Sequence, residues 1–308
     1  MQILNPTQTA QALPYAKLVP AVAEAARQLA SGEIHAPDRM VVTIDAASVL
    51  LCMPALGADI GVTKLITVHN NNAQHSLPVI QGEVVVFDTA TGRRRALLDG
   101  PTVTARRTAA VTLLGIQQLA PAAPASAILI GTGVQAAAHA DALAEFFGIT
   151  DLRIASRDAA KAQPFCDALS KRHPALKVRP VASADLAREC ASADVVVALT
   201  TAKSPVIPAQ LPATTLAVGV GAFKPDMVEF PPELLHARQI VVDHIAGAQH
   251  EAGDLIQAKI AWDKVRDLSS VVAHGMPQSG VAPVLKTVGH AAWDLAAARV
   301  AVQSLAGG

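Results

Sequence analysis

Apolar positions recur at helical spacing at Leu18, Val22, Ala25, Ala26 and Leu29, and Ser31-Gly32 closes the run, so residues up to about 33 predict a short lead-in and a packed helix. From Arg39 the period shortens to that of strands. Met40-Val41-Val42-Thr43-Ile44, Ser48 to Met53 and Gly61 to Val68 are β-rich runs divided by turn residues. Glu83 to Phe87, a turn over Asp88-Thr89-Ala90-Thr91-Gly92 and a returning strand from Arg93 to Leu98 follow. The first third therefore predicts a mostly antiparallel sheet with helices. A helix from Thr104 to Leu119 carries Arg106-Arg107-Thr108 in its first turns, and Pro121-Ala122-Ala123-Pro124 marks a boundary that no helix crosses.

Beyond that boundary the pattern alternates as a parallel α/β domain should. Strand 126–130 leads to helix 134–147, strand 151–155 to helix 158–172, and a short strand near Lys177-Val178 to a helix around 184–192. Strands 194–199, 214–218 and 239–243 are expected to complete the sheet. Asp194 to Leu199 is almost continuously apolar, as a strand covered on both faces requires.

Within this domain, Ile130-Gly131-Thr132-Gly133-Val134-Gln135-Ala136 passes from a buried strand through two glycines into a helix. Gly131 allows the tight turn, Gly133 lets backbone approach a pyrophosphate, and the free N–H groups opening the helix meet its charge. Ala136 stands where the third glycine would be and still permits close packing. This is the first turn of a Rossmann-type dinucleotide-binding domain, with Gly131, Thr132, Gly133, Val134 and Gln135 as cofactor contacts. About twenty residues on, where an NAD site places an acidic residue, the chain reads Ala155-Ser156-Arg157. A hydroxyl and a guanidinium donate to a 2′-phosphate rather than accept from a ribose hydroxyl, so NADPH is expected to be preferred, with NADH possible. Thr200 is a further expected cofactor contact.

Composition narrows the class without changing it. The chain has 308 residues, 51% hydrophobic and 16% charged, with 25 basic and 25 acidic side chains. Such a chain suits two domains, and its balanced charge predicts no nucleic-acid partner. Cys52, Cys166 and Cys190 lack metal-ligand or disulfide spacing and read as small buried residues in a reducing compartment. Every long apolar run is broken by Gly, Pro or charge, so no membrane partner and a cytoplasmic location are expected. Asp243-His244 and His250-Glu251 offer metal-ligand types without helical one-face spacing, so no metal is expected. Ser279, after Met276-Pro277-Gln278, lacks the context of a nucleophile elbow.

Several motifs in order resemble the ornithine cyclodeaminase and mu-crystallin family. They are Met53-Pro54-Ala55, Gly61-Val62-Thr63-Lys64, Leu77-Pro78, Asp88 to Gly92, Thr104 to Ala110, Ile130 to Ala136 and Ala217-Val218-Gly219, followed by Glu251 to Leu255 and Thr287 to Ala296. The resemblance implies an α/β protein in which a Rossmann-type domain, residues 120–287, is inserted in an α+β substrate-binding and dimerisation domain, residues 1–119 and 288–308. It implies a homodimer joined through that first domain, and a return of the chain at Lys286 to Gly289 where Thr287 or Val288 is expected to touch the nicotinamide. It also implies a basic pocket for the α-carboxylate of a small imino or amino acid, at Arg39, Lys64 and Arg107. Lys64, on an apolar strand, releases a proton more readily than either arginine and is the candidate catalytic residue, with a bound water as the alternative proton source.

Cyclodeaminases of the family use a glutamate two residues before the Met-Pro pair and an aspartate after the Val-Gly turn. Here those places hold Leu51 and Ala222. Without these carboxylates, the expected chemistry is reduction of a cyclic imino acid, Δ1-pyrroline-2-carboxylate or Δ1-piperideine-2-carboxylate, to proline or pipecolate. Cyclodeamination of ornithine and an alanine-dehydrogenase-like reaction are alternatives. So, from another class, is NADPH-dependent ligand binding of the mu-crystallin kind.

Overall fold

The computed structural model describes residues 1–276 and 279–306. Pro277 and Gln278, just before Ser279, and Gly307 and Gly308, at the end of the expected returning segment, lie outside the described residues. Along the chain the elements begin with β1 (Gln2–Leu4), α1 (Pro6–Gln11), α2 (Tyr15–Ala30), β2 (Met40–Asp45), β3 (Ser48–Leu56) and β4 (Ile60–His69). Next come β5 (Ile80–Asp88), β6 (Arg94–Asp99), α3 (Gly100–Leu119), β7 (Ser126–Ile130), α4 (Val134–Phe147), β8 (Asp151–Ser156), α5 (Ala159–Arg172) and β9 (Lys177–Ala182). Then α6 (Leu186–Cys190), β10 (Val195–Ala198), β11 (Leu216–Gly219), α7 (Pro232–Ala237), β12 (Ile240–Val242) and α8 (Ile245–Glu251) follow. The chain ends with α9 (Gly253–Gln257), β13 (Arg266–Asp267), α10 (Leu268–His274), β14 (Val284–Lys286) and α11 (Ala291–Ala306).

Two compact units divide the chain, one formed by Met1–Ala110 and the segment from His290, the other by Val111–Gly289. The sequence reading set the boundaries at 119/120 and 287/288. The first division falls instead within α3, because the second half of that helix belongs to the core of the second unit. Thr112 Oγ1 lies 2.9 Å from His139 Nε2 on α4, and a Cβ on Gly115 would stand 2.2 Å from Leu285 Cδ2 on β14. Helix α3 also begins earlier than Thr104, since Asp99 at the end of β6 accepts from Thr102 N at 2.8 Å and caps the first turn.

In the first unit a six-stranded sheet has the order β1-β6-β5-β4-β3-β2. It is antiparallel except for β1, which pairs parallel with β6 and has too short an apolar run to be read from sequence. Helix α11 packs on α2 and across β3, β4 and β5. On β4 the alternation of the strand puts Val62, Lys64 and Ile66 on the buried face, with Leu65 on the opposite, exposed one. Strand β2 is an edge, and Met40, Val41, Val42 and Ile44 are 61, 54, 46 and 50% exposed.

The second unit is an eight-stranded sheet, all parallel, in the order β13-β12-β14-β11-β10-β7-β8-β9. The chain winds outward through β7, β8 and β9, then returns to β10 on the other side of β7, which creates a topological switch point between β7 and β10. Strands 194–199, 214–218 and 239–243 do not complete this sheet. Strand β14 intercalates between β11 and β12, and β13 adds the far edge. Both are two or three residues long and too short for a periodic signal. No helix among the described residues is long and apolar enough to cross a membrane.

Candidate active site

In the first unit, Lys64 and Asp294 are 1% and 0% exposed, and they meet. Lys64 Nζ lies 3.0 Å from Asp294 Oδ1 and 2.8 Å from Oδ2, and Arg107 Nε donates to Oδ1 at 3.1 Å. The sequence reading took Lys64, Arg107 and Arg39 as cations awaiting a substrate anion. In the structure two of them, Lys64 and Arg107, already share a buried carboxylate from α11. Asp294 carried a signal in the sequence, as a lone acid in the apolar run Ala291-Ala292-Trp293-Asp294-Leu295-Ala296, but nothing local says what it faces. Arg107 uses its Nε on Asp294, and its two terminal nitrogens make no hydrogen bond among the described residues. Arg39, half-buried in the segment leading to β2, adds a further positive charge felt at Lys64.

These groups tune Lys64. Burial pulls its ammonium down from the ordinary lysine range to about 7; Asp294 opposes that shift, while Arg107 and Arg39 reinforce it. A lysine poised there can both hold and release a proton near neutrality.

In the second unit, the turn from β7 to α4 has the shape of a phosphate cradle. Gly131 adopts φ +123°, and a Cβ there would lie 2.8 Å from Leu199 O beyond β10. Gly133 caps α4 without a side chain and faces open space, so the helix starts with its N–H groups uncovered. Gln135 Oε1 is a buried acceptor with no partner among the described residues. Ala136 is fully buried, which seats α4 against the sheet. His139 anchors the same helix. Burial lowers its pKa to about 4, so the ring is neutral. Nδ1 then donates to Gln135 O at 2.8 Å, and Nε2 accepts from Thr112.

Of the other expected cofactor contacts, Ser156 ends β8 and Arg157 follows it, Thr200 follows β10 and Val288 follows β14. All lie at the carboxyl ends of the parallel strands. In the structure the Ser156 hydroxyl donates to Asp158 O at 2.5 Å. The carboxylate of Asp158 caps α5 through Ala160 N at 3.0 Å, and Arg157 is exposed with no partner among the described residues. Val288 is buried, and its N–H is held by Asp243 Oδ1 at 3.0 Å.

A buried ionic network that the sequence did not announce supports this rim. Glu229 Oε1 accepts from Thr200 N at 2.6 Å and Thr200 Oγ1 at 3.0 Å. Its Oε2 accepts from Gly221 N at 2.8 Å and Ala222 N at 3.1 Å. Asp254 Oδ1 accepts from the N–H groups of Glu229 and Phe230, and Lys286 Nζ lies 3.2 Å from Asp254 Oδ2 and 3.9 Å from Glu229 Oε2. Lys286 and Glu229 are 0% exposed and Asp254 is 1% exposed, so one cation and two acids, far apart in sequence, hold the loops after β10 and β11. Leu51 and Ala222, the positions without carboxylates, are buried, and the Ala222 backbone N–H is one of the donors to Glu229. Asp243 and His244 serve backbone, His244 Nδ1 accepting from Gly247 N at 3.1 Å.

A doubly wound parallel sheet with a glycine turn at its switch point, carried with a mixed-sheet unit that buries a lysine, defines a two-domain α/β protein of the Rossmann type. The chain belongs to the ornithine cyclodeaminase/mu-crystallin family, whose model matches residues 2–308. It is 44% identical over 305 residues to the Δ1-pyrroline-2-carboxylate/Δ1-piperideine-2-carboxylate reductase of Azospirillum brasilense, covering 99% of this chain and 96% of that protein. It is also 44% identical to Δ1-pyrroline-2-carboxylate reductase 2 of Burkholderia ambifaria, covering 97% and 94%. Among solved structures, the Δ1-pyrroline-2-carboxylate reductase of Thermococcus litoralis in complex with NADH and L-proline has the same fold. Its TM-score is 0.91 at 24% identity, over 100% of this chain and 98% of that one.

Proposed function

We propose that this protein reduces a cyclic imino acid, Δ1-pyrroline-2-carboxylate or Δ1-piperideine-2-carboxylate, to proline or pipecolate. The observation that carries the reading is Lys64, buried with a carboxylate and a guanidinium and held near neutrality. The curated relatives at 44% identity carry reductase names, which supports the same chemistry. The terminal nitrogens of Arg107, with Arg39, bind the substrate carboxylate, since a planar guanidinium offers paired donors. Lys64 gives a proton to the imine nitrogen, which makes the adjacent carbon a better hydride acceptor. A bound reduced nicotinamide dinucleotide supplies the hydride. The backbone from Gly131 to Gln135 holds its pyrophosphate, and Thr200 and Val288 line the rim. Leu51 and Ala222 leave no carboxylate to activate water or an amine at those places, which favours reduction over cyclodeamination.

The test is consumption of reduced nicotinamide with each cyclic imine, run beside ornithine with the oxidised cofactor. Turnover of an imine is the expected result. Activity on ornithine with none on the imines overturns the reading, and tight ligand binding without cofactor consumption replaces it with a binding protein.

NADPH is the preferred cofactor on this reading, and Arg157 alone carries the preference, because the Ser156 hydroxyl is occupied by Asp158 O. Replacing Arg157 with alanine is expected to raise KM for NADPH about 10- to 100-fold, the effect of one charge-assisted hydrogen bond, and to leave NADH little changed. Wild-type use of NADH at much lower concentration than NADPH would refute the preference.

The partner is a second copy of this chain. Strand β2 offers an unpaired edge with Met40, Val41, Val42 and Ile44 exposed, a combination that a lone sheet ordinarily avoids. Sedimentation is expected to find a dimer, and Val42→Asp to shift it towards monomer; a stable wild-type monomer excludes this assignment. The free thiols suit the reducing cytoplasm, and burial pushes those of Cys166 and Cys190 up to about 11, so both behave as small apolar residues.

A further inference from the structure

We infer that Asp294 is a positioning residue that reserves Lys64 for proton donation and leaves the substrate carboxylate to Arg107 and Arg39. The inference rests on the reductase reading above. It starts from what a buried carboxylate costs: an ion removed from water loses several kcal/mol unless it is paired and hydrogen-bonded. Asp294 sits at 0% exposure between Trp293 and Leu295, also 0% exposed, so its place in α11 is stable only because Lys64 and Arg107 meet it.

The contacts divide the two cations by role. Lys64 Nζ touches both oxygens of Asp294, at 3.0 and 2.8 Å, so its ammonium form is already matched by a carboxylate. A second carboxylate gains little from an ammonium already matched in this way. Arg107 contributes one Nε–H at 3.1 Å and keeps its two terminal nitrogens, whose charge and geometry suit a carboxylate. Anion recognition therefore falls to the arginines and proton transfer to the lysine.

The surroundings of Lys64 make Asp294 the group that decides its charge. The strand partners directly opposite Lys64 are Met53 on β3 and Val84 on β5, both uncharged. Cys52 and Glu83 pair with Leu65, whose side chain points to the other face of the sheet. Arg107 on α3 and Arg39 before β2 repel a proton on Lys64, and burial does the same. On α11 the carboxylate is Asp294; His290, just ahead of that helix, packs edge-on to Trp293. Asp294 is thus the acidic group acting to retain the proton on Lys64.

In the step this serves, Lys64 Nζ gives its proton to the imine nitrogen, the imine carbon accepts a hydride to form a C–H bond, and the C=N π pair becomes the lone pair of the product amine. A bound reduced dinucleotide would supply that hydride and be oxidised by two electrons, and the neutral amine of Lys64 recovers a proton from water.

The experiment compares the wild-type chain with Asp294→Asn and Asp294→Glu. It measures kcat and KM for the cyclic imine across pH, and titrates Lys64 by NMR on isotope-labelled lysine, assigned with Lys64→Met. Wild-type Lys64 is expected to titrate near 7. Asp294→Asn is expected to move the loss of kcat at alkaline pH downward by about one unit or more. At neutral pH, kcat then falls by about tenfold or more. KM is expected to be unchanged or lower, because the site gains net positive charge, and Asp294→Glu is expected to restore the wild-type pH dependence. A rise in KM with an unmoved pH profile would make Asp294 merely structural and overturn the inference. If Asp294→Asn does not fold, the wild-type titration decides: Lys64 titrating in the ordinary lysine range, or already neutral below pH 5, overturns it. Absence of imine turnover in the wild type defeats the reductase reading instead, and the lysine titration still reports the Asp294 contact.

Discussion

Replacing Lys64 with methionine is expected to lower kcat for imine reduction by about 10²- to 10⁴-fold, the usual contribution of a positioned general acid. Methionine keeps much of the volume of the lysine stem, and Asp294 retains Arg107 Nε at 3.1 Å, so the carboxylate is not left bare. The Arg107 and Arg39 guanidinium groups remain, so KM should change less than kcat. Dinucleotide affinity should be unaltered, because the glycine turn belongs to a different unit. Steady-state kinetics and a cofactor titration check all three. A variant retaining more than a tenth of wild-type kcat would show that bound water, not Lys64, supplies the proton.

The pH dependence follows from the direction of the Lys64 shift. Its pKa is lowered in the folded chain to about 7, so the donor form is present below that pH and is lost as pH rises through it. Imine reduction should decline on the alkaline side of neutrality, and the Lys64→Met residual activity should not show that decline.

The second large effect is expected at Lys286. Methionine there would leave Asp254 and Glu229 facing each other at full burial without their cation. Removing one partner of such a network costs about 3–5 kcal/mol. For a unit of this size that corresponds to a fall of about 6–20 °C in Tm. Burial already drives the Glu229 carboxyl upward, with Lys286 the main opposing charge, so the variant should also take up a proton. The loops after β10 and β11 lose their anchor in Glu229, and dinucleotide affinity should fall with stability. Thermal unfolding and cofactor binding test this. An unchanged Tm would mean that the network contributes no net stability.

How far the sequence could be read depended on the distance over which each interaction acts. Helix α2, the strands from Met40 to Leu98 and the alternation from β7 to β9 follow from periodicity, which is a property of neighbours. Gly131 and Gly133 were visible because a sharp turn and an open helix start require those residues locally. Strands β13 and β14 escaped because two or three residues cannot show a period, and sheet pairing alone makes them strands. The division inside α3 escaped for a related reason. A continuous helical pattern contains no mark where its contacts pass from one unit to the other.

The sequence by itself therefore determined the two-part α/β organisation, the glycine turn, the Lys64 and Arg107 candidates and the missing carboxylates at Leu51 and Ala222. Tertiary structure alone decided that Lys64 and Arg107 share Asp294, 230 and 187 residues away. It alone decided that Glu229, Asp254 and Lys286 form one buried network, and that the Ser156 hydroxyl is taken while Arg157 is not. The physical reason is common to all of these. A charge is costly to bury without its partner, and the partner is chosen by the fold rather than by the neighbouring residues.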